Sequence, residues 1–528
     1  MTPAGHGNLV GIDLGTTMSC IARLDASGTS VTIPNAAGDP LTPSVVYLDG
    51  TTALVGRTAK DAAAMDSSKA ALAVKRDMGS PLYNRTVDGR RFRPETLSAI
   101  ILRKLKKDAE RRIGPITKAV ITVPAFFDDT RRKATEDAGR IAGFEVLDTL
   151  NEPTAAALSY AMLEHRRVGT AGHVLEIPGG EMNAVVYDLG GGTFDVTVVR
   201  LRSNRFETIA TDGEVQLGGK DWDERIVQYM AQRFLEKFGI DPTTDRQRRD
   251  GMAALAERAK ILLSQLTNAP VSFNHQGHEL SFSLSRAQLE EMTSDLLTST
   301  RVVTELVVRK QAGLRWDQIQ RFLLVGGATH MPMIKEMLHK LIGRPPDDCL
   351  DVDQVVAQGA AVHAGILAAK ADDGELEIAE DLRADLEGVD VLNVNSHSLG
   401  VEAIRNGAPV SAVLIPKNTQ LPIAASKVFR LRFAGATSVD VNVLEGEAIE
   451  AANNIPIGNC CITGLPPGLP KGAPVQVRLA YGANGRVNVM ALDMTHGTFA
   501  ETTIERQNRL TEDDIQREAE FVNSLNIE

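Results

Sequence analysis

The feature that most constrains this chain is a phrase it uses twice. An apolar run over Leu9–Leu14 leads into Asp13-Leu14-Gly15-Thr16-Thr17, and a second over Ala184–Leu189 leads into Asp188-Leu189-Gly190-Gly191-Gly192-Thr193, with Asp195 just beyond. Each reads as a β-strand entering a tight turn. Glycine in such a turn lets backbone N–H groups approach an anion, and threonine hydroxyls add donors. An aspartate at the strand end can hold a hydrated Mg2+, an ion that keeps several of its waters. One copy alone is no more than a hairpin. Two matched copies predict related halves facing a shared cleft, gripping a polyphosphate from opposite sides. This is not a P-loop: at Gly218-Gly219-Lys220 the glycine spacing is wrong, and Asp221 stands where Ser or Thr is required.

The sequence around these turns is that of an α/β protein. Short apolar runs at Ala119–Val123, Val196–Leu201 and Phe322–Val325 alternate with amphipathic patterns. The patterns predict helices over Pro94–Arg112, Thr130–Ala142, Thr154–Glu164, Trp222–Phe238, Gly251–Leu266 and Ser285–Ala312. A chain of 528 residues is too long for one core, so several domain-sized units are expected. The character changes over 371–390, where nine residues are acidic and one is basic; this reads as a solvated linker. Beyond it the period shortens to two, with Val439, Val441 and Val443 alternating with Asp440 and Asn442, as an antiparallel β domain requires. The final stretch reads as one helix with Thr511 as N-cap and acidic residues in its first turn.

Charge and cysteine usage narrow the class. A net charge of −11 disfavours nucleic acid as the main partner, because phosphate backbones need a basic face. Cys20, Cys349, Cys460 and Cys461 show no metal-ligand spacing, and four thiols in a chain this long fit a reducing compartment. The N-terminus has no secretion-signal pattern, and no apolar run reaches the 18 or so residues that span a bilayer. A soluble cytoplasmic protein without membrane partners is expected.

On these residues the chain resembles the heat-shock protein 70 (DnaK-type) chaperone family. GIDLGTTMSC, VITVPAFFDDTRRKATEDAGRIAGFEV, NEPTAAAL, YDLGGGTFDVTV, LGGKDWD and LLVGGATHMP follow the family's motifs in order, over most of residues 9–365. The resemblance implies an actin-like ATPase fold of duplicated ribonuclease H-like halves over residues 1–385 and a linker over 386–396. It further implies a β-sandwich peptide-binding domain over 397–509 and a short C-terminal helix over 510–528. ATP or ADP, Mg2+ and K+ are the implied cofactors. Position by position, Asp13, Gly15, Thr16 and Thr17 match the first phosphate loop, and Gly190, Gly191, Gly192 and Thr193 the second. Lys75 matches a lysine contacting the transferring phosphate, Glu152 and Asp195 carboxylates near the attacking water, and Asp13 and Asp188 those around Mg2+. Gly218, Gly219, Glu257, Lys260, Ser264, Gly326, Gly327, His330 and Asp353 match the nucleoside pocket. More loosely, Val401, Ile404, Phe429, Val439 and Val441 match an apolar pocket for extended client peptides.

The sequence also departs from that family. Only one short helix follows the β domain, so a lidless member with faster peptide release is expected. The apolar linker becomes Val389-Asp390-Val391-Leu392-Asn393, and Asp148 stands where the family carries an arginine that meets J-domain co-chaperones. His330 replaces an arginine that stacks on adenine. Clients, a J-domain partner and a nucleotide exchange factor are the implied partners, with coupling to the latter two altered. Two other readings share the ATPase core: a sugar or acetate kinase, and an actin-like filament protein. The β domain has no role in such kinases.

Overall fold

The computed structural model describes residues 8–168, 180–202, 204–371, 380–482, 487–504 and 510–528. Strands β1 (Asn8–Asp13) and β2 (Met18–Leu24) form an antiparallel hairpin whose turn is the first glycine–threonine loop. A separate small sheet holds β3 (Val45–Asp49) and β4 (Thr52–Val55). The main sheet continues with β5 (Ile116–Val123) and β6 (Glu145–Asn151); β5 runs parallel to both β1 and β6. Its inner strands are apolar without alternation because both faces are covered. Ile121 and Val123 join one cluster with α1 (Pro94–Ile113) and α2 (Asp129–Ile141), while Val120 joins another with α3 (Glu152–Val168).

The second half repeats this plan. Strands β7 (Met182–Leu189), β8 (Phe194–Arg202) and β9 (Arg205–Glu214) form a meander, with the second glycine loop at the β7–β8 turn. β10 (Arg321–Val325) lies parallel on the other side of β7, as β5 does beside β1. Helices α4 (Gly219–Phe238) and α5 (Arg246–Gln265) pack with this half. The helix expected over Ser285–Ala312 is broken into Arg286–Met292, Ser294–Glu305 and a π-helical turn over Leu306–Gln311. At the break, the Thr293 hydroxyl and amide both donate to the Leu289 carbonyl, at 2.7 and 3.2 Å, a back-bond that bends helices.

Between the two sheets lies α6 (Val355–Ala371), buried on nearly every face. It gets there by being small. A Cβ on Gly11 would sit 2.0 Å from the Ala361 amide nitrogen, and one on Gly359 would sit 1.8 Å from the Ala155 carbonyl of α3.

The acidic stretch read as a solvated linker is not solvated throughout. Glu380–Glu387 is a helix, α7, whose Leu386 is fully buried and whose Leu382 packs beside it in the cluster of α3 and α6. The two leucines lie four apart on one helical face, while Glu380 and Glu387 are exposed; residues 372–379 lie outside the described set. After α7, β11 (Asp390–Leu392) pairs parallel with β9 and extends the second sheet.

The β domain is a pair of four-stranded antiparallel sheets. One is ordered Ala408–Ile415, Leu399–Arg405, Ser438–Glu445, Ile455–Thr463; the other Ile423–Arg430, Pro474–Tyr481, Val487–Asp493, Phe499–Thr503. Inward residues of both, among them Val443, Leu479 and Val489, make the core. The last helix, α8 (Glu512–Ser524), carries the expected cap: the Thr511 hydroxyl accepts from the Asp514 amide, and the Asp514 carboxylate accepts from Thr511 N–H. It packs on α1 and α2 rather than on the β domain. No helix among the described residues is long and apolar enough to cross a membrane, and no disulfide joins the described cysteines.

Candidate functional site

The two glycine turns face each other across a cavity of about 100 Å³. A Cβ on Gly191 would stand 2.5 Å from the Thr17 side chain, and one on Gly192 2.5 Å from that of Thr16. The loops thus approach as closely as bare backbone allows, which is what glycine there permits. Asp13, Gly15, Thr16, Thr17, Lys75, Glu152, Asp188, Gly190, Gly191, Thr193, Gly326, Gly327 and Asp353 line the cavity.

Lys75 sits on a 3-10 turn over Val74–Asp77, entered through Ala73 in the left-handed region at φ 56°. Its Nζ donates to Glu152 Oε1 at 2.5 Å, and the two side chains are only 6% and 7% exposed. Glu152 opens α3, directly after β6. Asp13 accepts from the Thr122 hydroxyl at 3.3 Å, and Asp195 from the Phe126 amide at 3.0 Å. Burial, reinforced by Glu152, pushes Asp13 up to about 7 and Asp195 up to about 8, and raises Asp188 well above the carboxylate range. Burial alone pulls the Lys75 ammonium down, but Glu152 and Asp13 outweigh it and leave it raised. Three buried carboxylates and half-buried Asp13 around one lysine form a pocket short of positive charge.

The predicted nucleoside residues gather beside the second loop. Gly219 N–H donates to Gly190 O at 2.9 Å, and a Cβ on Gly218 would meet Gly192 N at 2.6 Å. Lys260 donates to Gly219 O at 2.7 Å and pairs with Asp223 at 2.8 Å, and Ser264 bonds back to Lys260 O at 3.2 Å. His330 meets Asp353 at 3.1 Å, a bond that raises the imidazole. Glu257 pairs with Lys60 of the opposite half at 2.5 Å.

Sequence reasoning missed Lys60 and Arg76. Arg76 Nε donates to the Gly192 carbonyl at 3.1 Å and Nη2 to Asp221 at 2.5 Å, while the same Asp221 oxygen accepts from Gly218 N–H at 2.8 Å. It therefore ties the Lys75 turn to the second glycine loop. The signal was Asp221 itself, read only as a mismatch to the P-loop.

In the β domain, Val401 and Val441 are buried in one cluster, with Phe429 and Val439 packed against it. Ile404 is 46% exposed and stands apart. The domain meets the cleft-bearing part through polar groups. Asn393 accepts from Asn151 and Thr154, Lys417 pairs with Asp212 at 2.7 Å, and Asn418 bonds Thr211 and Gln311. The His397 ring packs at a tilt of 57° against Phe126, 4.4 Å between ring centroids, and bonds its carbonyl, and Ser396 bonds the Phe127 carbonyl. Asp148, in turn, is held by buried His363 at 2.9 Å.

A cleft between two glycine–threonine turns, with a β-sandwich docked beside it, is the layout of a nucleotide-binding protein of two cleft-forming halves with an appended sheet domain. The model of the Hsp70 protein family matches residues 9–88 and 81–526. Chaperone protein dnaK3 of Thermosynechococcus vestitus (strain NIES-2133 / IAM M-273 / BP-1) is 40% identical over 546 residues, covering 97% of this chain and 75% of that relative. The chain belongs to the Hsp70 family. It is an ATPase and an ATP-dependent chaperone, and neither a kinase nor a filament reading is favoured.

Proposed function

We propose that the Lys75–Glu152 pair, set among Asp13, Asp188 and Asp195, is the hydrolytic centre. The observation that carries this reading is that buried Lys75, Glu152 and Asp188 line the cavity between the two glycine turns together with half-buried Asp13, with Asp195 buried behind them. Phosphoryl transfer is catalysed mainly by positioning and charge neutralisation. Lys75 would face the transferring phosphate, Glu152 and Asp195 would orient the attacking water, and Thr16, Thr17 and Thr193 would donate to phosphate oxygens. Gly218, Gly219, Glu257, Lys260, Ser264, Gly326, Gly327, His330 and Asp353 would enclose the nucleoside. Asp13 and Asp188 would hold Mg2+ through its waters; the excess of buried carboxylate suits a cation, which when bound supplies the missing positive charge. Lys75→Ala is expected to lower single-turnover hydrolysis by roughly 10²–10³, the scale of one lost preorganised donor. A rate within twofold of the parent refutes the role.

The duplicated plan of the sheets supports the ribonuclease H-like, actin-like reading of the two halves. Val401, Phe429, Val439 and Val441, with Ile404 at the margin, would receive one side chain of an extended client segment pairing along a strand. Burying one leucine contributes roughly 1.5–3 kcal/mol, well short of the ~8 kcal/mol of a micromolar complex, so backbone bonds must supply much of the rest. The Phe126 amide holds Asp195 while its ring and carbonyl meet His397. Sandwich docking would therefore be felt at the hydrolytic carboxylate. With Asp148 engaged by His363, a J-domain partner would meet altered chemistry there, and cytoplasmic residence fits these thiols and this charge.

A further inference from the structure

Residues 510–528 bury themselves in the wrong domain for a segment that travels with the β-sandwich. Leu510, Ile515, Val522 and Ile527 are all buried, and they belong to the same hydrophobic cluster as Val46, Ile101 and Ile121 of the first half. Phe521 meets Phe92 with ring centroids 5.9 Å apart. The backbone then adds a strand: Asn526–Ile527 runs parallel to β4. Asn526 N–H donates to Thr51 O, Glu528 N–H to Ala53 O and Val55 N–H to Glu528 O, each at 2.9 Å. Lys107 Nζ reaches the Ile527 carbonyl at 2.7 Å, Thr96 bonds Glu518 at 2.7 Å, and Arg140 pairs with Glu512.

The other attachment of the sandwich is of a different kind. Val389 is buried, but Asp390 is exposed, Val391 and Leu392 are half-buried, and the contacts beyond them are polar side chains apart from the His397–Phe126 ring pair. Such contacts exchange readily with water, whereas buried apolar side chains do not.

We infer that residues 510–528 are a fixed part of the ATPase lobe, with the β4 flank as their docking surface, and that they stay there when the sandwich undocks. The sandwich is then held at both ends, by the β11 segment and by the six peptide links from Ile504 to Leu510. Fully extended, those links reach roughly 20 Å, which limits how far the end of the last sandwich strand can move in any nucleotide state. The inference does not depend on the roles assigned to Lys75 or to the peptide pocket.

The test uses the full chain with two engineered protease sites, one after Gly388 and one within 505–509. After cleavage in ADP or ATP, the three pieces are challenged with rising salt and mild urea and separated by size, with each piece identified by mass. The expected result is that the sandwich piece leaves first and 510–528 remains with the ATPase piece. If 510–528 leaves together with the sandwich, or before it, the inference is overturned. Ile527→Asp supplies a second readout: it should lower the melting temperature of the ATPase piece after the sandwich has been removed, and an unchanged value counts against the assignment.

Discussion

His397 carries more than packing. Its Nδ1 lies 3.5 Å from Glu447 and its Nε2 3.3 Å from the Phe126 carbonyl, so both ring nitrogens face acceptors. Only the imidazolium satisfies both at once. Burial pulls its proton affinity down, but the bond to Glu447 and the charge of Glu445 outweigh burial and Lys417, and the group ends raised above 6.5. A raised histidine contributes stability that is fully present below its unfolded value and lost as pH climbs through the folded one. Glu447 and Glu445 belong to the sandwich itself, so it is the sandwich's own stability that is expected to fall as pH rises through and above neutrality. Urea melting of the chain between pH 6 and 8 measures this; His397→Gln should flatten the profile, and an unaltered slope in that variant removes His397 from the account. At this scale the sequence showed Lys75, Glu152 and the aspartates, because their neighbours are distinctive. It concealed Arg76, since an arginine beside the cleft lysine looks like any solvated charge until its partners, Gly192 and Asp221, are placed.

Among the elements, α3 and α6 form the contact most intolerant of change. Replacing a mid-helix glycine by alanine ordinarily stabilises a helix by up to about 1 kcal/mol. At Gly359 the added carbon would lie 1.8 Å from the Ala155 carbonyl, so the helices must part, and overpacking of this kind costs about 1–3 kcal/mol. Gly359→Ala is expected to lower the melting temperature by several degrees and to weaken ATP binding, because both helices lie between the halves. A melt at or above the parent's would refute the close contact. Strands β1, β5, β7, β8 and β10 were legible because buried parallel and central strands are plainly apolar. Helix α7 was not, since nine acidic residues in twenty mask Leu382 and Leu386. Nor was the break at Thr293, which depends on a single hydroxyl choosing a backbone acceptor.

For the molecule as a whole, the sandwich was legible as a domain and its placement was not. Alternating valines announce a two-faced sheet, but Asn393, Ser396, Lys417 and Asn418 are residues that any surface displays, and only the fold shows them meeting Asn151, Phe127, Asp212 and Thr211. Polar contacts of that sort are normal between domains that separate. The docking of α8 was equally silent, because an amphipathic helix does not say which apolar surface it will cover.

Strand β11 closes one side of β9, and that has a colloidal consequence. When β11 departs, the ladder groups of Arg205–Glu207 lose their partners and become a template for pairing with another chain. Arg205 and Glu207 blunt that template without abolishing it. The undocked form should therefore cluster as protein concentration rises while the docked form stays dispersed. Light scattering that grows with concentration to the same extent in both forms would place the stickiness elsewhere.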